Sequence, residues 1–181
     1  MMLDASRSIQ RTVRSLMDGA ARARPVPAPT ELAGVFERVE LLLRHRLAAA
    51  GLRLEIDLAS GPIALRTDEG LLQQILVNLL LNAADASPRG EAITLRARIE
   101  RERAVIEVVD HGAGIPPEVR DRIFDPFVTT KADRGGTGLG LAMVKSLVDD
   151  LEGSVSFESA PGRGSRFVVA LSIGRAPERG A

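Results

Sequence analysis

Asn78-Leu-Leu-Leu-Asn82, Asp110-His-Gly-Ala-Gly114 and Gly136-Thr-Gly-Leu-Gly140 follow one another through the middle of the chain. The first block lies inside Asp68 to Ala86. There Leu71, Leu72, Ile75, Leu76, Leu79 and Leu80 recur at helical spacing and make a broad apolar face. Ser87-Pro-Arg-Gly90 stops that helix. The second block ends the later of two strands, Ile93–Ile99 and Ala104–Val109, which a tight charged turn joins as a hairpin. The third block opens a helix over Leu139–Leu151.

Outward from these blocks, Leu52-Arg-Leu-Glu-Ile-Asp-Leu58 alternates with period two, and Ile63 to Arg66 reads as a short strand. Thr30 is a suitable cap for a helix running to about Ala50 and ended by Gly51. Ser154–Ser159 and Arg166–Ser172 form a closing hairpin across Pro161-Gly-Arg-Gly164. Between Asp110 and Thr137 the chain is rich in glycine, proline and charge, with one short helix near Glu118–Ile123. An irregular stretch that long is uncommon in a compact domain and points to a functional lid. Helix, strand, strand, helix, hairpin, long loop, helix, hairpin is not an alternating βαβ order. It predicts a two-layer α/β sandwich, a mixed sheet with helices on one face, plus an N-terminal helix.

That extra helix is amphipathic. Leu3, Ile9, Val13, Leu16, Met17 and Ala20 recur at three and four residues, with Arg7, Gln10, Arg11, Arg14 and Asp18 between them. The prolines in Arg22-Ala-Arg-Pro-Val-Pro-Ala-Pro-Thr30 cannot continue it and force extended geometry. The expected organisation is therefore residues 1–24 as an appended helix, 25–29 as linker, 30–173 as the main domain and 174–181 as a disordered tail. Lysine plus arginine (24) balances aspartate plus glutamate (24), so no global field favours nucleic acid or an anionic membrane. Absence of Trp and Tyr argues against base stacking on single strands. With no cysteine there is no thiol chemistry, and no apolar run reaches membrane-spanning length. A cytoplasmic protein, or the cytoplasmic part of a membrane-bound sensor, is expected, with no direct membrane contact by this piece.

Asn78 and Asn82 stand four apart on an otherwise apolar helix, so both amides point the same way. A carbonyl oxygen there suits Mg²⁺, which takes few protein ligands and prefers phosphate and water. Equally, both amides can cap neighbouring backbone in the core. Asp110 ends an apolar strand, where a carboxylate can accept from the exocyclic amine of adenine; the same Asp-x-Gly-x-Gly is also a common strand-to-loop turn. In the third block, glycines let backbone amides approach a phosphate and the helix start adds partial positive charge. No strand precedes it, which excludes a dinucleotide fingerprint, and no P-loop motif is present. Phe124-Asp-Pro-Phe127 then supplies anchors for a lid over a ligand, with Lys131 able to reach a phosphate; two phenylalanines plugging a core gap is the plainer alternative. In order, the blocks describe an ATP site.

Residues 30–173 resemble the catalytic, ATP-binding domain (Bergerat-type fold) of two-component sensor histidine kinases, in the superfamily that also holds gyrase B, Hsp90 and MutL. Asn78–Asn82 resembles the N box, Asp110–Gly114 and Gly136–Gly140 the two glycine boxes, and Phe124–Phe127 the F box. Gly162-Arg-Gly-Ser-Arg-Phe167 is similar to the family's last glycine-rich turn, where a hydroxyl, here of Ser165, helps hold the adenine aspartate. Phe-Val-Thr-Thr-Lys131 and Asn82-Ala-Ala-Asp85-Ala-Ser are nearest in style to nitrogen-regulation and oxygen-sensing kinases.

The resemblance implies ATP with Mg²⁺, Asn82 as metal-side ligand, Asn78 in support and Lys131 at the phosphates. It also implies a nucleotide site made of Asp85, Asp110, Gly112, Gly114, Ile115, Phe127, Thr137, Gly138, Leu139, Gly140, Leu141 and Ser165. ATPase branches place a water-activating glutamate one turn before the metal asparagine; Asn78 stands there instead, and an amide cannot take the proton. The implied role is a phosphoryl donor to a histidine carried on another segment, for onward signalling to a response regulator. Only His45 and His111 occur; neither is followed by an acidic residue, and both read as bystanders. Residues 1–24 are similar to the second helix of the family's dimerisation and phosphotransfer hairpin, and pairing of two copies through residues 3–22 is expected. The chain then reads as a catalytic fragment unable to autophosphorylate alone. A nucleotide-binding adaptor, or an anti-sigma factor of the serine-kinase kind, is the alternative; the latter carries an acidic residue near the turn of Asn78.

Overall fold

The structure is a computed structural model that describes residues 25–58, 61–130 and 137–174. Expectations for residues 1–24, Lys131, Gly136 and the tail after Gly174 therefore lie outside the described residues. Five strands build the main sheet: β2 (Arg53–Asp57), β4 (Ala92–Glu100), β5 (Arg103–Asp110), β7 (Ser165–Ser172) and β6 (Ser154–Ser159), in that spatial order. The β2–β4 pair is parallel and the other pairs are antiparallel, so the sheet is mixed as expected.

Three helices, α1 (Leu32–Ala50), α2 (Glu69–Ala86) and α3 (Gly140–Asp150), cover one face. Period-two alternation puts Ala104, Ile106 and Val108 of β5 on the helix side, packed with Ile93 and Leu95 of β4 and Val169 of β7. The helices answer with Val35, Phe36 and Val39 of α1, Leu72, Ile75, Leu76 and Leu79 of α2, and Val144 and Val148 of α3. Gly51, at φ 69°, ends α1 as expected, and Leu52 N–H closes back on Leu47 O at 2.9 Å. Asp68 caps α2 by accepting from Leu71 N–H at 3.1 Å.

The opposite face of the sheet carries a charged cluster. Glu107 of β5 is fully buried there by Arg96 and Arg98 of β4 and Arg166 of β7, each of which donates to its carboxylate. Burial opposes its ionisation, but the hydrogen bonds from Arg166, Arg98 and Arg96 outweigh it and hold the carboxyl at about 2.

Two expectations are corrected. The proline-rich segment is not all linker: Ala28–Glu31 forms β1, antiparallel to β3 (Ala64–Thr67) in a separate two-stranded sheet. Proline is tolerated because a ribbon of two strands leaves each one an outer edge that needs no ladder donor. Thr30 accordingly does not cap α1. Its Oγ1 donates within the ribbon to Ala28 O at 3.1 Å, and Glu31 stands at the N-cap without a side-chain bond. The short helix in the long loop is a 3-10 helix over Pro117–Arg122.

Candidate nucleotide site

The C-terminal half of α2, the end of β5 and the start of α3 converge on a cavity of about 320 Å³. On α2, Asn78 and Asn82 both line it, and their amide heads meet at Gly140: a Cβ there would lie 3.6 Å from Asn78 Oδ1 and 3.5 Å from Asn82 Nδ2. Asn78 Nδ2 donates to Gln74 O at 2.9 Å, one turn back on its own helix. Half of the capping alternative is therefore realised, and that bond turns the carbonyl oxygen toward α3.

Asp110 shares the face of Ile106 and Val108, so the alternation of β5 delivers its carboxylate to the helix-side cavity, 3% exposed. Gly112 N–H donates to its Oδ1 at 2.8 Å and Ser165 N–H at 3.2 Å. The resemblance gave the Ser165 hydroxyl that holding role; here the backbone N–H supplies it, and the hydroxyl lies 3.1 Å from Ser159 Oγ. Ser159 Oγ also accepts from Ile115 N–H at 2.8 Å, which ties the first glycine block to the closing hairpin.

Gly112 does not line the cavity wall. It lets β5 meet the end of α2, since a Cβ at this position would lie 2.4 Å from Ala86 O. Gly114, Ile115, Thr137, Gly138, Gly140, Leu141 and Ser165 line the cavity, and so does Asp85. Leu139 is the N-cap residue of α3 and accepts from Met143 N–H at 2.9 Å. Phe127 acts through its backbone, donating to Gly138 O at 3.0 Å. Phe124 is the ring that anchors the loop, edge-on to Phe157 at 6.0 Å, with Phe157 stacked on Phe167 at 5.9 Å.

Sequence reasoning missed Arg46 of α1 and Thr129 and Thr130 beyond the F box, all of which line the cavity. The threonines sit in the loop read as a lid, without a contact role assigned to them, and Arg46 carries no motif. Among the described residues no group of three or more His, Cys, Asp or Glu side chains is placed to hold a metal. A divalent ion here would rest on an amide oxygen, phosphate and water, which is how Mg²⁺ is commonly held. The donor set and the glycine-walled cavity thus fit Mg²⁺ and a nucleotide. His45 and His111 are both exposed.

Sandwich and cavity together define a two-layer α/β domain with a glycine-walled polar cavity at the ends of α2 and β5 and the start of α3. The chain matches, over residues 67–175, the family model described as histidine kinase-, DNA gyrase B-, and HSP90-like ATPase, and it belongs to that family. The sensor kinase CckA of Brucella abortus is 36% identical over 174 residues, a match that takes in 88% of this chain and 18% of CckA. Full-length ShkA in complex with AMPPNP is similar at TM-score 0.74 and 32% identity, covering 84% of this chain and 33% of ShkA. The mycobacterial sensor histidine kinase MprB is similar at TM-score 0.71 and 28% identity, covering 81% of this chain and 97% of the MprB structure. The chain thus spans less than a fifth of CckA. No helix among the described residues is long and apolar enough to cross a membrane.

Proposed function

We propose that this chain is the ATP-binding catalytic domain of a sensor histidine kinase. It would present the γ-phosphoryl group of ATP to a histidine on a separate phosphotransfer helix, for signalling to a response regulator. The observation that carries the reading is the polarity of the cavity. A buried carboxylate, Asp110, is held by two backbone N–H groups at one end. Paired amides, Asn78 and Asn82, face the start of α3 at the other.

In this reading the Asp110 carboxylate accepts the adenine amine, and Gly112, by allowing the close approach of Ala86, sets its depth. Asn82 holds Mg²⁺ through its amide oxygen and Asn78 supports it. Thr137 to Leu141 offer the phosphates backbone N–H groups and the positive end of α3. Lys131 is assigned to the phosphates by the family resemblance. When bound, Mg-ATP supplies the phosphoryl group and the charge neutralisation its transfer needs. The chain's own residues bind, orient and exclude water. An amide at Asn78, where hydrolytic relatives place a carboxylate, leaves no base at that position to activate water. The named relatives are sensor kinases, which supports a histidine acceptor over an adaptor role. Pairing of two copies through residues 3–22 and a cytoplasmic location belong to the same reading.

Titration with ATP, ADP and GTP, with and without Mg²⁺, followed by thermal stability, tests it. ATP and ADP should stabilise the protein and GTP should not. Asp110→Asn should lose the adenine preference, a charge-assisted bond being worth about 1.5–3 kcal/mol. Equal response to GTP, or unchanged ATP affinity in Asp110→Asn, would overturn the assignment.

A further inference from the structure

Arg46 is on the outer side of the motif-bearing elements, yet its guanidinium reaches the cavity. Its Nη2 stands 3.2 Å from Asp85 Oδ1, and both residues line the same space as Asn82 and Asp110. Among the described residues Arg46 is the only cation in that lining, against the two carboxylates of Asp85 and Asp110. A polyanionic phosphate chain entering this space finds one cationic side chain among the described lining residues, that of Arg46.

Position along α2 says where. Asn82 marks the end that meets Gly140 of α3, and Ala86 marks the end that meets Gly112 behind Asp110. Asp85 lies between the two, so Arg46 stands between the phosphate and base ends. The pair is also easily opened. Its side chains are 59% and 45% exposed, and exposed ion pairs of that kind are weak. A phosphate offers the planar guanidinium a bidentate partner of higher charge.

We propose that Arg46 is a nucleotide-phosphate ligand, exchanging Asp85 for a phosphate oxygen when nucleotide binds. Asp85 is then a positioning residue, whose carboxylate keeps the guanidinium at the cavity rim instead of touching nucleotide itself. The inference rests on the ATP reading above and adds a residue to it.

Calorimetric titration of wild-type protein, Arg46→Ala and Arg46→Lys with ADP, ATP and adenosine tests it. Arg46→Ala should bind ADP and ATP about tenfold more weakly, with adenosine affinity and nucleotide-free melting temperature unchanged. Arg46→Lys should recover part of the loss, and the salt dependence of ADP binding should be shallower in Arg46→Ala. Wild-type ADP affinity in Arg46→Ala would overturn the proposal while leaving the ATP site intact. So would an equal loss for adenosine, which marks a merely structural role. A wild-type protein that binds no adenine nucleotide would instead sink the ATP reading itself.

Discussion

Gly138 and Phe127 lie backbone to backbone with no room for a side chain between them. Phe127 N–H donates to Gly138 O at 3.0 Å, and a Cβ on Gly138 would sit 2.5 Å from the Phe127 carbonyl carbon. Both residues hold positive φ, 68° at Phe127 and 67° at Gly138. The F box and the second glycine box are thus one joint that closes the loop against α3. Gly138→Ala must break it: an L-residue at that φ costs about 1–2 kcal/mol before the clash is counted. ADP and ATP affinity should fall at least about tenfold. Calorimetry checks this, and an unchanged affinity would remove the joint from the binding account.

A second close approach joins β5 to α2. Ala113 N–H donates to Ala86 O at 3.2 Å across Gly112. Gly112→Ala would drive a methyl into that oxygen, and overpacking of this type costs about 1–3 kcal/mol. A melting temperature lower by about 3–10 °C in thermal unfolding is the expected result.

Asn82 is assigned to the metal through its amide oxygen. Wild-type protein should bind ATP more tightly with Mg²⁺ than in chelator. Asn82→Ala should bind it with the same, weaker affinity in both. Persistence of the Mg²⁺ effect in the variant would move the metal ligand elsewhere.

Glu107 makes stability depend on pH. Its carboxyl is held at about 2, below the ordinary 4.5, so the unfolded chain takes up its proton first as pH falls. Its contribution is complete above the unfolded value and is lost as pH drops from about 5 through 2. That contribution is on the order of 2 kcal/mol, discounted because the three arginines reach solvent. Urea unfolding at pH 7 should find Glu107→Gln less stable than wild type by about that amount, with the gap narrowing by pH 3. A gap independent of pH would contradict the ion network.

Much of the site was legible because its chemistry is local. Asn78 and Asn82 fall on one helix stripe, and Asp110 is the polar terminus of an apolar alternation; spacing alone places such residues. What spacing cannot show is contact across elements. Arg46 is brought to Asp85 only by the packing of α1 against α2, and the Ser165 N–H reaches Asp110 only because β7 pairs with β5 in that register. β1 stayed hidden since its prolines argue against a strand until the partner, β3, is known to leave one edge unpaired. Thr30 looked like a cap because the hydroxyl that caps a helix also serves an ordinary strand.

In the proposed function this site holds the γ-phosphoryl group for a histidine elsewhere and does not pass it to water. Incubating the chain alone with γ-labelled ATP and Mg²⁺ tests it most directly, following both label on protein and phosphate release. Bound ATP, no stable label on this chain and slow phosphate release are the expected results. Acid-labile label on this chain alone, or rapid release of phosphate, would contradict it.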